Sequence, residues 1–142
     1  MIEKGFLMAE WMSQAAAIPI RDGQICLVSS SGGRRWVIPK GAIELRHTAG
    51  QTALKETWEE AGLVGSIQPE PVGSYLYGKE SRIFHVVVFV MQVHEESPIW
   101  PEQARRSRIW LPFSEAIDRI QDPSLRDLLH TVLMQPMLSN VG

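Results

Sequence analysis

The stretch from Arg82 to Val93 constrains this chain most, because it carries Val86-Val87-Val88-Phe89-Val90 without a polar interruption. β-Branched residues favour extended backbone, and a strand with no polar alternation has no face to give to water. It must be covered on both sides. The fold therefore needs at least one sheet with packed layers above and below it.

The rest of the chain supplies those layers. Gln14 to Arg21 and Gln24 to Ser29 are apolar runs separated by Asp22-Gly23, two residue types that tolerate positive φ, which predicts a hairpin. Arg35 to Ile38 is a short apolar segment stopped by Pro39, and Lys40-Gly41 opens an expected loop running to about His47. Thr48 with Gln51 three positions on forms a capping-box pattern, and Gly62 is the matching stop, so a helix is predicted between them. Val72 to Tyr77 and Ile109 to Leu111 read as strands, and Ser114 to Ile120 and Ser124 to Met134 as closing helices. A mixed sheet with helices on its faces, an α+β arrangement, follows.

At 142 residues the expectation is a single domain over 1–142. Charge is nearly balanced, with 14 Lys plus Arg against 16 Asp plus Glu, so bulk attraction to a long nucleic acid is not expected. An anionic ligand must meet a local cluster instead. Cys26 is the single cysteine, which excludes an intramolecular disulfide and a thiolate metal site and fits a reducing compartment. No run of 18 apolar residues occurs, and Glu3, Lys4 and Glu10 interrupt the N-terminal stretch, so neither a membrane span nor a signal peptide is expected. The expectation is a cytoplasmic protein, with monomer and homodimer both open. Met1, Met8 and Met12 carry no cofactor signal.

The helix from Thr48 to Ala61 is the informative segment. On a wheel of 100° per residue with Ala53 at zero, Ala53, Leu54, Thr57, Trp58 and Ala61 fall within roughly 140° and form the expected core face. Glu56, Glu59 and Glu60 fall on the opposite arc. A solvated acidic face explains such a pattern on most helices, but here Glu56 and Glu60 stand at i and i+4, a like-charge spacing that costs ~0.2–0.5 kcal/mol. Glu59 and Glu60 also sit at the negative end of the helix dipole. Lys55 can relieve Glu59, whereas Glu56 and Glu60 have no cation on this helix. A bound divalent cation resolves the conflict, and clustered carboxylates suit Mg²⁺ or Mn²⁺ rather than Zn²⁺.

Gly41-Ala-Ile-Glu-Leu-Arg-His47, seven further residues, and Lys55-Glu56-Thr57-Trp58-Glu59-Glu60-Ala61-Gly62-Leu63 resemble the signature box of the Nudix hydrolases, G-x5-E-x7-R-E-U-x-E-E-x-G-U with U bulky and apolar. Beyond the box, Ile25-Cys-Leu-Val-Ser-Ser-Ser, Arg35-Trp-Val-Ile-Pro-Lys-Gly41 and Trp100-Pro-Glu through Arg108-Ile-Trp110 are similar to the diphosphoinositol-polyphosphate and diadenosine-polyphosphate branch. There are three departures: His47 replaces a Glu, Lys55 an Arg, and Thr57 a larger apolar residue. Lys55 keeps the charge of the family's arginine, which orients a catalytic carboxylate, but loses its planar fork.

The resemblance implies the Nudix fold, a mixed sheet sandwiched between helices, and Mg²⁺- or Mn²⁺-dependent hydrolysis of a diphosphate linkage in a small phosphorylated substrate. It implies Gly41, Glu56, Glu59 and Glu60 as metal ligands, with Glu56 or Glu59, served by Lys55, acting on the attacking water. Alternatives are a weakened module that only binds a phosphorylated ligand, motivated by His47 and Lys55, and removal of pyrophosphate from RNA 5′ ends. Arg35, Lys40, Arg82 and Arg106 are the candidate phosphate-binding cations. Glu95, Glu96 and Glu102 read as a polar loop, although the family sometimes draws a further acid from this region. Trp36, Trp58, Trp100 and Trp110 read as core packing rather than base platforms, and His85 and His94 as structural.

Overall fold

The computed structural model describes residues 10–133. Eight strands form one mixed sheet. Strand β1 (Glu10–Arg21) lies at its centre beside β7 (Arg82–Glu96), paired in parallel from Glu10↔Arg82 to Ile20↔Gln92. The other pairings are antiparallel: β2 (Gln24–Ser29) with β1, β3 (Trp36–Val37) and β8 (Arg108–Pro112); β4 (Lys40–Ala42) with β1; β5 (Leu63–Ile67) and β6 (Gly73–Lys79) with β7. Helix α1 (Ala49–Ala61) follows β4, and α2 (Phe113–Arg119) and α3 (Pro123–Leu133) follow β8. No helix among the described residues is long and apolar enough to cross a membrane.

The uninterrupted apolar run of β7 is covered on both faces, as its composition demands. Val86, Val88 and Val90 enter one core with Ala116, Ile117, Leu125, Leu129 and Val132 of α2 and α3. Phe89, Met91 and Val93 enter the other with Ala53 and Ala61 of α1. Alternation along one strand thus glues helices to both faces of the sheet.

Local signals hold where they are strong. Asp22 and Gly23 have φ of 53° and 74°, the left-handed pair that a two-residue hairpin requires. Thr48 Oγ1 accepts from the Gln51 N–H at 3.0 Å while Gln51 Oε1 accepts from the Thr48 N–H at 2.9 Å, closing the capping box. Three expectations need correction. Lys40–Ala42 is not loop but β4, because its backbone pairs with Gln14 to Ala16 of the central strand. Leu63–Ile67, unassigned from sequence, is β5; its Gly65 and Ser66 obscure the pattern, and a Cβ at Gly65 would overlap the Gln92 carbonyl of β7. Trp58 is exposed while Thr52 and Glu60 are buried, so the buried arc of α1 is turned towards Glu60 and away from Trp58. The predicted end of the last helix at Met134 lies outside the described residues.

The connection 97–107 folds back on the C-terminus of α1 and satisfies its orphan carbonyls. The Gly62 N–H donates to the Trp58 carbonyl at 2.9 Å, Glu102 N–H to Glu59 at 2.9 Å, Trp100 Nε1 to Glu60 at 2.9 Å, and Arg108 Nη1 to Ala61 at 2.7 Å. Arg108 also lies 4.0 Å over the Trp100 ring and donates from Nε to Glu96 Oε2 at 2.9 Å, while Arg21 reaches Glu96 Oε1 at 2.8 Å and Trp110 Nε1 reaches Oε2 at 3.2 Å. Burial alone would raise the Glu96 carboxyl, but the hydrogen bonds from Arg21 and Trp110 and the Arg108 charge outweigh it and hold Glu96 below the usual carboxylate range.

Gly62 carries the tightest constraint in this clamp. Its φ is +68°, and a Cβ there would stand 2.8 Å from Trp100 Cβ and 2.9 Å from Arg108 Nη1. Gly62→Ala is expected to lose about 2–3 kcal/mol in urea unfolding, whereas Gly32→Ala, whose Cβ meets nothing within 4 Å, should stay within about 0.5 kcal/mol of wild type. Because Glu96 is depressed in the folded state, its contribution is present above its unfolded value, near 4.5, and is lost as pH falls through the lower folded value. Unfolding midpoints followed from pH 7 to pH 3 should therefore fall more steeply for wild type than for Glu96→Gln, which starts about 1–2 kcal/mol lower at neutral pH; parallel curves would exclude this role for Glu96.

Candidate functional site

Three elements meet at the acidic turn. Antiparallel pairing of Ala15↔Gly41 and Ala16↔Lys40 fixes β4 to the central strand. The Glu56 side chain then lies against the Gly41 backbone, and a Cβ on residue 41 would overlap its carboxyl carbon. Gly41 is required for that close approach. Glu60, one turn on, is only 4% exposed, which is far from the solvated acid that a wheel suggests.

The Glu56 and Glu60 carboxyl groups lie one helical turn apart and interact, and the Glu60 side chain lowers the Glu56 pKa against the larger raising effects. Burial, foremost, pushes Glu60 well above the ordinary carboxylate range; Arg106 and Lys40 pull against that rise, and Glu56 and Glu102 add to it. Burial and then the Glu59 charge raise Glu56 as well. The cations missing from the helix come from elsewhere in the chain. Arg106 stands 3.7 Å from Glu60, with its Nε on Glu102 at 2.8 Å and Nη1 on the Ser29 carbonyl at 2.9 Å. Lys40 is the second; burial, foremost, lowers its pKa, Glu60 opposes this, and Arg106, Arg35 and Lys79 add to it.

Glu59 and Lys55 lie further out. Lys55 reaches Glu59 at 3.8 Å and Glu44 at 3.7 Å, long contacts at a partly exposed position. His47 is exposed in the turn before the Thr48 cap. Among the described residues no three acidic, histidine or cysteine side chains converge closely enough to enclose a cation unaided. The donor set nevertheless fits a hard divalent ion: oxygens only, from the carboxyl groups of buried Glu60 and half-buried Glu56, whose raised pKa values a cation would offset. Mg²⁺ in particular is held by one or two carboxylates and completes its shell with water and substrate phosphate.

Beside Glu60 opens a cleft of about 160 Å³ whose polar walls include Gln14, Ser30, Arg35, Lys40, Lys79 and Arg106. It continues into a space of about 250 Å³ that shares Arg35, Lys40, Tyr77 and Lys79 and ends at Asp122 and Leu125. Of the four cations expected from sequence, Arg35, Lys40 and Arg106 meet here. Arg82 does not, because the β1–β7 register sets it beside Glu10, which its guanidinium faces at 3.8 Å. Lys79, which sequence reading passed over, lines the cleft in its place; its signal was its position immediately before the Glu80-Ser81 turn.

The remaining candidates lie outside the cleft. None of the five tryptophans lines it; Trp36 packs on a core, and Trp100 and Trp110 lie under Arg108 and Arg21. Cys26 is buried, and burial pushes its thiol up to about 12, which makes it inert. Glu95 is exposed, Glu96 belongs to the clamp, and Glu102 sits against Arg106 next to Glu60. His94 is exposed, with Nε2 3.4 Å from Ser66 Oγ. His85 lines a larger groove of about 650 Å³ between β1, β6 and β7, which contains no acid or fixed cation.

The NUDIX domain family model matches residues 11–132. Relatives include Nudix hydrolase 18, mitochondrial, of Arabidopsis thaliana, 32% identical over 79% of this chain and 64% of its own length, and diphosphoinositol polyphosphate phosphohydrolase 3-beta of Bos taurus, 31% identical over 71% of this chain and 62% of its own. The chain thus spans less than two thirds of these relatives. Among solved structures, the MutT protein of Methanosarcina mazei superposes with a TM-score of 0.71 at 17% identity, covering 87% of this chain and 93% of that one. The Ap4A hydrolase of C. elegans gives 0.69 at 17% identity over 86% and 96%. At these identities the superpositions establish the fold alone, and with the family match covering nearly all the described residues, this chain belongs to the Nudix family.

Proposed function

We propose that this protein hydrolyses a diphosphate linkage in a small phosphorylated molecule, with Glu56 and Glu60 holding Mg²⁺ or Mn²⁺. One observation carries the reading: Glu60, buried at the last turn of α1 with the half-buried Glu56 one turn before it, lines a cleft walled by Arg35, Lys40, Lys79 and Arg106. A buried acid facing concentrated positive charge matches a ligand that brings its own anionic oxygens. The bovine relative's name supports a diphosphoinositol-type substrate, and the sequence resemblance adds a nucleoside or dinucleoside polyphosphate as the alternative.

The bound ion supplies charge neutralisation at the diphosphate oxygens and acidifies water. The protein does the rest. Gly41 lets Glu56 approach the β4 backbone and offers its carbonyl as a further ligand, and Arg106 braces Glu60 from behind. Lys40 and Arg35 take the non-reacting phosphate oxygens. Glu56 or Glu59 accepts the proton of the water that attacks one phosphorus, Glu59 being steadied by Lys55, and the bond from that phosphorus to the bridging oxygen breaks.

Phosphate release measured over dinucleoside polyphosphates, nucleotide sugars, nucleoside triphosphates, 5′-triphosphorylated RNA and inositol pyrophosphates, with and without Mg²⁺, tests this reading. Turnover on at least one small substrate, abolished by chelation, is the expected result. Tight binding without turnover of any substrate points instead to the ligand-binding module that the long Lys55 contacts would suit. Glu60→Gln should lower turnover by about 10²–10³-fold and, without metal, leave the thermal midpoint unchanged or slightly higher, since it removes a buried ionisable group. Calorimetry with Mn²⁺ should register uptake by wild type that Glu56→Gln and Glu60→Gln both lose; near-wild-type turnover in these variants would show that other groups hold the ion.

A further inference from the structure

Strand β6 (Gly73–Lys79) pairs with β7 along one edge, and no described strand pairs with the other. Along that outer edge alternate residues turn their N–H and C=O groups away from the sheet, a template for a further strand. The strand carries neither a proline nor a charge before its last residue, the usual devices that blunt an open edge.

One face of the strand adds apolar surface. The β1–β7 and β6–β7 registers set Ser13, His85 and Leu76 in one row across the sheet and Trp11, Ile83 and Gly78 in the next. Helix α1 covers the adjoining row of Ala15 and Val87. Leu76 is 50% and Trp11 62% exposed, and both line the groove of about 650 Å³ beside His85.

The sequence of β6 says what fits this edge. Gly73-Ser-Tyr-Leu-Tyr-Gly-Lys79 reads nearly the same in both directions about Leu76, which is also its midpoint. A two-fold axis perpendicular to a sheet keeps every side chain on its own face, so in antiparallel pairing it passes through a residue and not between two. Placed at Leu76, the axis overlaps the whole strand and sets Leu76 against Leu76, Tyr75 against Tyr77 and Ser74 against Gly78. The small Ser74 and Gly78 leave room for the two leucines on their face, and the tyrosines, on the α3 face, form cross-strand aromatic pairs. Charges agree as well: Lys79 meets Gly73, and Glu70, shortly before one strand, falls beside the basic end of the other.

We propose that β6 pairs antiparallel with β6 of a second copy of this chain about a two-fold axis at Leu76, giving a reversible homodimer with one sheet running through both copies. The inference stands apart from the hydrolytic reading and does not need it. A single strand pair is a small contact, so the association is weak and concentration-dependent.

Sedimentation equilibrium of the full chain from about 1 µM to about 1 mM should give a dimer with a Kd of about 10–100 µM, and β6 amides should gain hydrogen-exchange protection as concentration rises. Leu76→Lys, which brings two ammonium groups together at the axis, should weaken dimerisation at least about 10-fold and leave the thermal midpoint nearly unchanged, because the position is half exposed. Cysteine cross-linking reads the register, since native Cys26 is buried. Directly opposed residues bring Cα atoms to about 4.5–5.5 Å, within disulfide reach. Leu76→Cys should therefore oxidise to a covalent dimer, Ser74→Cys alone should not, and a mixture of Ser74→Cys with Gly78→Cys should cross-link. A monomer at the highest concentration, cross-linking of Ser74→Cys alone as readily as Leu76→Cys, or β6 exchange equally slow at every concentration, the mark of an edge covered by the same chain, overturns the proposal.

Discussion

The last turn of α1 is where the structure carries its greatest electrostatic burden. Glu56, Glu59 and Glu60 crowd the end of a helix whose dipole already opposes negative charge. The chain answers with donors from far along its length: Trp100 and Arg108 on the final carbonyls, the Glu102 amide on the Glu59 carbonyl, and Arg106 beside Glu60. Partial negative charge at the helix end is thereby offset by donors from the protein itself, which places Glu60 inside and against Arg106.

That placement has a direct chemical consequence. Burial, foremost, raises both Glu60 and the half-buried Glu56; the Glu56 charge adds to the rise of Glu60, and the Glu59 charge to that of Glu56. A cation beside these acids would offset both effects. Arg106 contributes by binding acids from two separate elements, Glu60 on α1 and Glu102 in the 97–107 connection. Its Nε and Nη1 are spent on Glu102 and the Ser29 carbonyl, while its side chain still forms part of the cleft wall.

The parallel β1–β7 pair links this acidic corner to the basic cleft. Strand β1 carries β4, and so Gly41 and Lys40, on one side; β7 carries the β6 hairpin, and so Lys79, on the other. Cations separated by tens of residues face one cavity because a twisted sheet brings its edges and turns together around a covered centre. The buried faces of β7, filled by α1 on one side and by α2 and α3 on the other, hold that geometry in place.

Much of the architecture is legible in the sequence. The Val86 to Val90 run demanded two covering layers, Asp22-Gly23 a hairpin, and Thr48, Gln51 and Gly62 the ends of α1, since each of these acts through neighbours in the chain. The set of Gly41, Glu56, Glu59 and Glu60 was visible through its resemblance to the Nudix box. Short strands were not: β4 and β5 exist because β1 and β7 offer them hydrogen bonds, not because their residues prefer extended backbone. Nor could a wheel place Glu60 inside and Trp58 outside, because the rotation of α1 is decided by what packs beneath it and by the clamp at its end. Charge pairing was the least readable. A cation's role depends on which acid long-range register puts beside it, so only the folded chain sends Arg82 to Glu10, Arg106 to Glu60 and Glu102, and leaves Lys79 facing the cleft.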